Sequence, residues 1–350
     1  MTVAHEGKSS PTAETLRSIY LTIKANAFPA RAQLKRLFTL GKISVFPGER
    51  SWIALGSLVA VSAAVIALSS DLTFEMSFVY GLLPCFLIIP FLIWMSSLQL
   101  IATNRLSKRF IECLLLIMFY IPMFVSLLVF GTIMMWLTAK VPLGDDLLDS
   151  WDKAIGFDWT SYADWFVSHP LLISLSAKCY VMLCPALLVV GLEAIVVGEP
   201  ERCKSLIFLT LSTCIFSMLV GGFFPGYGSV VHLGSANLRA ILPPGTGTEH
   251  IAMLDQVRSG LPTYIDPKNL AGLVSFPSFH TISCILLVYG SRGNVLRLTA
   301  VSAFSFMMLV AIPVFGEHYL VDILCGAAIA FSFIMLERWF SSSKGLCQNT

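Results

Sequence analysis

Residues 110–138 read FIECLLLIMFYIPMFVSLLVFGTIMMWLT, with a single charged side chain, Glu112, near the start. About 20 apolar residues rising 1.5 Å each cross the ~30 Å hydrocarbon layer of a bilayer. This run is long enough to do so. Seven more apolar runs flank it, at 52–70, 77–102, 170–197, 205–224, 277–291, 296–315 and 319–340. The whole chain agrees with the run. Of its 350 residues 56% are hydrophobic and 13% charged, and the mean hydropathy is +0.79. Soluble domains hold about 45–50% apolar and about 25% charged residues. The expected fold class is therefore all-α, a polytopic membrane helix bundle of about eight transmembrane helices.

The net charge of +2 says little, but its distribution says more. Lys8, Arg17, Lys24, Arg31, Lys35, Arg36, Lys42 and Arg50 make the first fifty residues basic. No folded basic domain follows them, so nucleic acid is not expected as a partner, and a membrane surface is. Apolar residues at helical spacing over 13–36 (Leu16, Ile19, Tyr20, Ile23, Ala27) predict an amphipathic surface helix. Arg105, Lys108, Arg109, Arg202, Lys204, Arg292, Arg297, Arg338 and Lys344 fall in loops on the side of this tail. The positive-inside rule makes that side, with both termini, cytoplasmic. The opposite face receives an acidic loop (Asp145, Asp146, Asp149, Asp152, Asp158, Asp164), a Gly/Pro-rich loop over about 225–276, and the Gly316–Glu317–His318 turn. The predicted division is a basic cytoplasmic tail at 1–50, two accessory spans at 51–105, a six-span core at 106–340 and a cytoplasmic tail at 341–350. Most of the nine cysteines sit in apolar runs and none forms C-x-x-C, which reads as packing. Lys178, about eight residues into the fourth run, is an ionisable group at membrane depth, and such groups default to function.

Two of the six histidines stand in polar clusters at the outer ends of spans. Pro277 can start a helix, because its missing N–H has no partner there in any case. Ser278 then lies in the first turn, among free amides that can receive an anion, and His280 follows within reach to deliver a proton. In the second cluster His318 and Asp322 are four apart, on one helix face. A carboxylate on one ring nitrogen fixes the tautomer and raises the basicity of the other, as an attacking imidazole requires.

Pro277–Ser278–Phe279–His280 and His318-x-x-x-Asp322 resemble the second and third motifs, P-S-G-H and S-R-x-x-x-x-x-H-x-x-x-D, of the type-2 phosphatidic-acid phosphatase superfamily. The resemblance covers the last six spans, about residues 110–340, and implies a six-helix phosphatase-type core. It implies that His318 attacks phosphorus and forms a phosphohistidine, that Asp322 orients it, and that His280 protonates the leaving alcohol. Ser278 would bind a phosphate oxygen. No cofactor and no metal are implied. The partners implied are a membrane lipid phosphate as substrate and water or a lipid alcohol as acceptor. The oligomeric state is left open.

The chain departs from these motifs. It has no Arg-Pro dipeptide of the first motif K-x-x-x-x-x-x-R-P, and the third-motif arginine falls at Ile312. Negative charge on the transferred phosphoryl group still needs an offset. Arg239, Arg258 and Lys268 are the candidates in the long outer loop. Arg258, in Arg258–Ser259–Gly260 upstream of the serine motif, is preferred, since similar bacterial members carry Arg-Ser-Gly there. Phe279 in the glycine position and the His318–Tyr319 start resemble inositol-phosphorylceramide and sphingomyelin synthases, which transfer a head group to a lipid alcohol. With the charge asymmetry of the loops, the expectation is a bacterial inner-membrane protein with its site on the periplasmic face. Two other classes compete: a lipid or small-molecule transporter or flippase, and a metal-dependent membrane hydrolase using His280, His318 and Asp322 as a two-His, one-carboxylate site. A non-catalytic membrane scaffold is the plainest alternative.

Overall fold

The computed structural model describes residues 46–69, 72–74, 104–242, 251–260, 263–265 and 276–347. The basic tail, the second apolar run at 77–102 and Lys268 lie outside the described residues. The protein is built from helices: α1 (Glu49–Leu68), α2 (Arg105–Leu137), α3 (Asp145–Ala154), α4 (Trp159–Val167), α5 (Pro170–Val181), α6 (Leu183–Val197), α7 (Pro200–Gly221), α8 (Ser229–His232), α9 (Ala236–Ile241), α10 (Ile251–Arg258), α11 (Phe279–Gly290), α12 (Val295–Phe315) and α13 (Leu320–Cys347). Two three-residue strands, β1 (Leu72–Phe74) and β2 (Thr263–Ile265), pair in parallel with Leu72 opposite Thr263.

Seven of the eight apolar runs therefore appear as helices among the described residues. Five (α1, α2, α7, α12 and α13) are long and apolar enough to cross a membrane alone. The fourth run is not one straight span. It breaks at Met182 into α5 and α6, bent by 57°. Pro185 supplies the reason: it brings no N–H, and its ring collides with the carbonyl four residues earlier, at Val181. Lys178 consequently sits in the last turn of α5, exposed, where a cation complements the helix C-terminus. It is not buried inside a continuous span. α11, with 12 residues, is about 18 Å long, shorter than the bilayer core.

Two adjoining cores hold the bundle. Leu55 and Leu58 of α1 meet Leu115, Phe119 and Met123 of α2 and Ile207 and Leu211 of α7. Leu206 and Leu209 of α7 turn the other way, toward Ile282 and Leu286 of α11, Met308 of α12 and Ala330 of α13. A third cluster clamps the end of α12: Trp159 and Phe166 of α4 pack on Val314 and Phe315. Trp159 Nε1 donates to the Pro313 carbonyl (2.9 Å) and the Tyr162 hydroxyl to that of Val310 (2.6 Å). Polar tips thus meet carbonyls beside a proline-interrupted helix end.

The acidic and Gly/Pro-rich connections, read from sequence as loops, are themselves partly helical. α3 and α4 occupy the first, and α8, α9 and α10 the second. α3 packs on α13, and α4, α8 and α9 on the end of α12, near the two histidine clusters, whereas α10 packs on the end of α2.

Candidate active site

Ser278 starts the site. It is the N-cap of α11, with extended backbone, and its Oγ accepts the Thr281 N–H (3.3 Å) and the Thr281 hydroxyl (3.1 Å). Pro277 therefore precedes the cap, and is not the first helical residue that the motif suggests. Ser and Thr favour caps because their oxygen satisfies one of the orphan amides of a first turn. His280 follows within the same first turn, half-buried. The Ser278 N–H donates to the Asp322 carbonyl (3.1 Å), which ties the first cluster to the second. Gly326 permits this approach, because a Cβ there would lie 2.5 Å from the Ser278 carbonyl oxygen.

The second cluster is a tight turn between α12 and α13. Glu317 takes φ 59°, a left-handed conformation uncommon outside glycine. His318 and Asp322 are both buried, 1% and 0% exposed. His318 Nδ1 lies 3.2 Å from Asp322 Oδ2, which also accepts the Tyr319 N–H (2.9 Å). A carboxylate only accepts, so Nδ1 carries the proton and Nε2 keeps its lone pair. Nε2 faces His280 Nδ1 at 3.3 Å. Gly316 makes room for the ring, since a Cβ at that position would come within 2.8 Å of His318 Cδ2. The chain from Asp322 through His318 to His280 is continuous, and all three were singled out by sequence.

Sequence reading missed three neighbours. Tyr180, at the α5 break, stacks on His280 with ring centroids 4.7 Å apart and planes at 26°. The signal was Pro185, which turns the end of α5 at Met182. Asp145 and Asp152 of α3 are 4% and 1% exposed. Asp152 accepts the Leu320 and Val321 N–H groups (2.7 and 2.8 Å). Asp145 accepts the Tyr319 hydroxyl and the Tyr227 and Gly228 N–H groups. Their signal was the spacing of Asp145, Leu148 and Asp152, which places both acids on the face of the apolar residue. Burial holds the Asp152 carboxyl above the ordinary carboxylate range, against the pull of its two amide bonds.

Two of the three cation candidates are held by backbone carbonyls. Arg258, in the last turn of α10, donates to the Val141 carbonyl (2.8 Å). Arg239 donates to Gly234 O (2.7 Å). Ile312, in the third-motif arginine position, is buried in the core of α12. Among the described residues no three of His, Cys, Asp and Glu converge to hold a metal ion. The geometry gives the reason: Asp322 and His280 address opposite nitrogens of one imidazole, so they cannot share an ion with it.

At the starts of α11 and α13 this helix bundle thus sets a carboxylate-backed histidine beside a second histidine. The chain belongs to the PAP2 (type-2 phosphatidic-acid phosphatase) superfamily, whose family model matches residues 146–336, more than half its length. No curated protein and no solved structure matches it. Membership supports a phosphatase-type function on a lipid or other phosphate ester, and with the long apolar helices it fits an integral membrane protein.

Proposed function

We propose that the protein is a membrane-embedded lipid phosphatase or lipid head-group phosphotransferase that works through a phosphohistidine. The observation that carries this reading is the Asp322–His318–His280 chain, with Nε2 of His318 facing Nδ1 of a second imidazole. The Nε2 lone pair forms the N–P bond as the P–O ester bond breaks, and the His280 Nδ1 proton passes to the leaving oxygen. In the second half His280 takes a proton from the acceptor, whose oxygen attacks phosphorus as the N–P bond breaks. Asp322 holds the tautomer and offsets the positive charge that develops on the ring.

Ser278 keeps one resource for the phosphate: its Oγ accepts twice, which leaves its own proton to donate. Arg258 is the cation we assign to the phosphoryl oxygens, because its guanidinium has donors beyond the one given to Val141. Charge distribution favours the non-cytoplasmic face for the site, with both termini cytoplasmic. The His318–Tyr319 start and Phe279 favour the head-group transferase branch, in a bacterial inner membrane, with a lipid alcohol as acceptor.

The test is purified protein with a panel of lipid phosphates, with and without diacylglycerol or ceramide, separating free phosphate from new phospholipid. Release or transfer of phosphate that survives EDTA supports the reading. Loss of activity in EDTA with recovery on Zn²⁺ or Mn²⁺ rejects it in favour of a metal-dependent hydrolase. Substrate movement without P–O cleavage favours a flippase.

A further inference from the structure

α3 carries two buried acids that the chemistry above does not use. Its other acids behave differently: Asp146 is exposed, and Asp149 pairs with Lys153 at 2.5 Å. Asp152 takes the first two amides of α13, donors that no intrahelical carbonyl can satisfy. Asp145 takes the hydroxyl of Tyr319 with one oxygen and, between its two oxygens, the amides of Tyr227 and Gly228. Between them they grip Tyr319, Leu320 and Val321, the three residues that separate His318 from Asp322. Leu148, between the acids, packs on Tyr319 and on Phe276, which leads into the serine motif.

Capping alone does not explain two carboxylates here. A neutral Ser or Asn caps a helix about as well as Asp. Carboxylates at 4% and 1% exposure lose their hydration. Among the described contacts no Lys or Arg side chain reaches either one. What the two acids provide is a fixed first turn of α13, because both oxygens of Asp152 are engaged by adjacent amides and cannot swing.

We infer that Asp152, with Asp145 beside it, is a positioning residue that sets the angle between His318 and Asp322. It acts through the turn and touches neither substrate nor phosphoryl group. The inference rests on the phosphohistidine reading. It requires an effect on turnover with little effect on affinity, because a misplacement of about 1 Å at a reacting group costs on the order of 10²-fold.

The experiment uses the full chain in detergent micelles with phosphatidic acid and with p-nitrophenyl phosphate. Asp152→Asn keeps the size of the side chain and loses one of the two acceptors. We expect kcat about 10–100-fold lower, KM within about twofold, and a double variant with Asp322→Asn no slower than the slower single one. Effects through one shared element fail to add, whereas independent structural damage adds. Where Asp152→Asn does not accumulate folded, Asp152→Ser, which still caps one amide, takes its place with the same expectation. A near-wild-type kcat in both, or losses that add to those of Asp322→Asn, overturns the inference alone, provided His318→Ala is inactive. Wild type that turns over neither ester, or His318→Ala at the wild-type rate, overturns the phosphohistidine reading and the inference with it.

Discussion

The two ends of α11 bury charge in opposite ways. At the end near Gly290, every buried charge meets its opposite. Arg202, 5% exposed, lies 2.6 Å from Glu193 and 2.8 Å from Glu199, and gives a further N–H to the Gly290 carbonyl. Arg297 closes on the other oxygen of Glu193. At the end near His280, Asp145, Asp152 and Asp322 are buried together, and their described partners are amides, a tyrosine hydroxyl and an imidazole. A matched cluster fixes helices α6, α7, α11 and α12 against one another. A cluster of one sign, satisfied only by weak donors, holds groups in place and leaves their chemistry unspent. The buried Oδ1 of Asp322, without a hydrogen-bond partner among the described residues, belongs to that second kind.

Substitutions at the two ends should differ accordingly. The largest effect is expected for His318→Ala, which removes the only atom proposed to bond phosphorus, so turnover of phosphatidic acid should fall to background with the fold retained. His280→Ala should lower the rate by about 10²–10⁴-fold with an alkyl leaving group, the worth of a positioned proton donor. That loss should shrink with p-nitrophenyl phosphate, whose leaving group needs little protonation. An equal loss with both substrates would remove His280 from the acid role. Arg258→Ala should cost about 10–100-fold, in line with about 1.5–3 kcal/mol for a hydrogen bond to a charged group. Lysine there should restore only part, since an ammonium cannot match the planar fork. A near-normal alanine variant would move the role to Arg239, Lys268 or Lys178.

Smaller effects sharpen the contrast. Tyr180→Leu removes a ring stack worth about 0.5–1.5 kcal/mol, so kcat should drop about two- to tenfold, and Tyr180→Phe should keep most of it. Glu193→Gln at the opposite end should leave kcat unchanged and lower stability. Breaking a buried pair costs about 3–5 kcal/mol, but Glu193 is a third exposed and solvent screens it, so about 1–2 kcal/mol is expected in thermal unfolding. A large fall in kcat with unchanged stability would erase the distinction between the ends.

Much of this was legible in the chain. The seven described apolar runs became helical, with ends within about five residues of those predicted except the last, which runs on to Cys347, because hydropathy sets where a chain can lie in lipid. His280, His318 and Asp322 were legible from the motif order and their short spacing, although His318 meets Asp322 from the turn before α13 and not from a shared helix face as expected. The break at Met182 was written in Pro185, yet unbroken hydropathy across 170–197 masked it. The role of α3 was not legible: Asp145 meets Tyr319 across 174 positions and Asp152 meets Leu320 across 168. No local pattern encodes a contact of that range. Acidic residues in an outer loop ordinarily face water.

The central claim is a covalent bond between phosphorus and His318 Nε2. The most direct measurement mixes wild type with ³²P-labelled phosphatidic acid, quenches in alkali within the first turnover and maps the labelled peptide. The account predicts an alkali-stable, acid-labile phosphoryl group on the peptide that contains His318, absent from His318→Ala and longer-lived in His280→Ala. Turnover at the full rate with no label on that peptide, or label retained in His318→Ala, would contradict it.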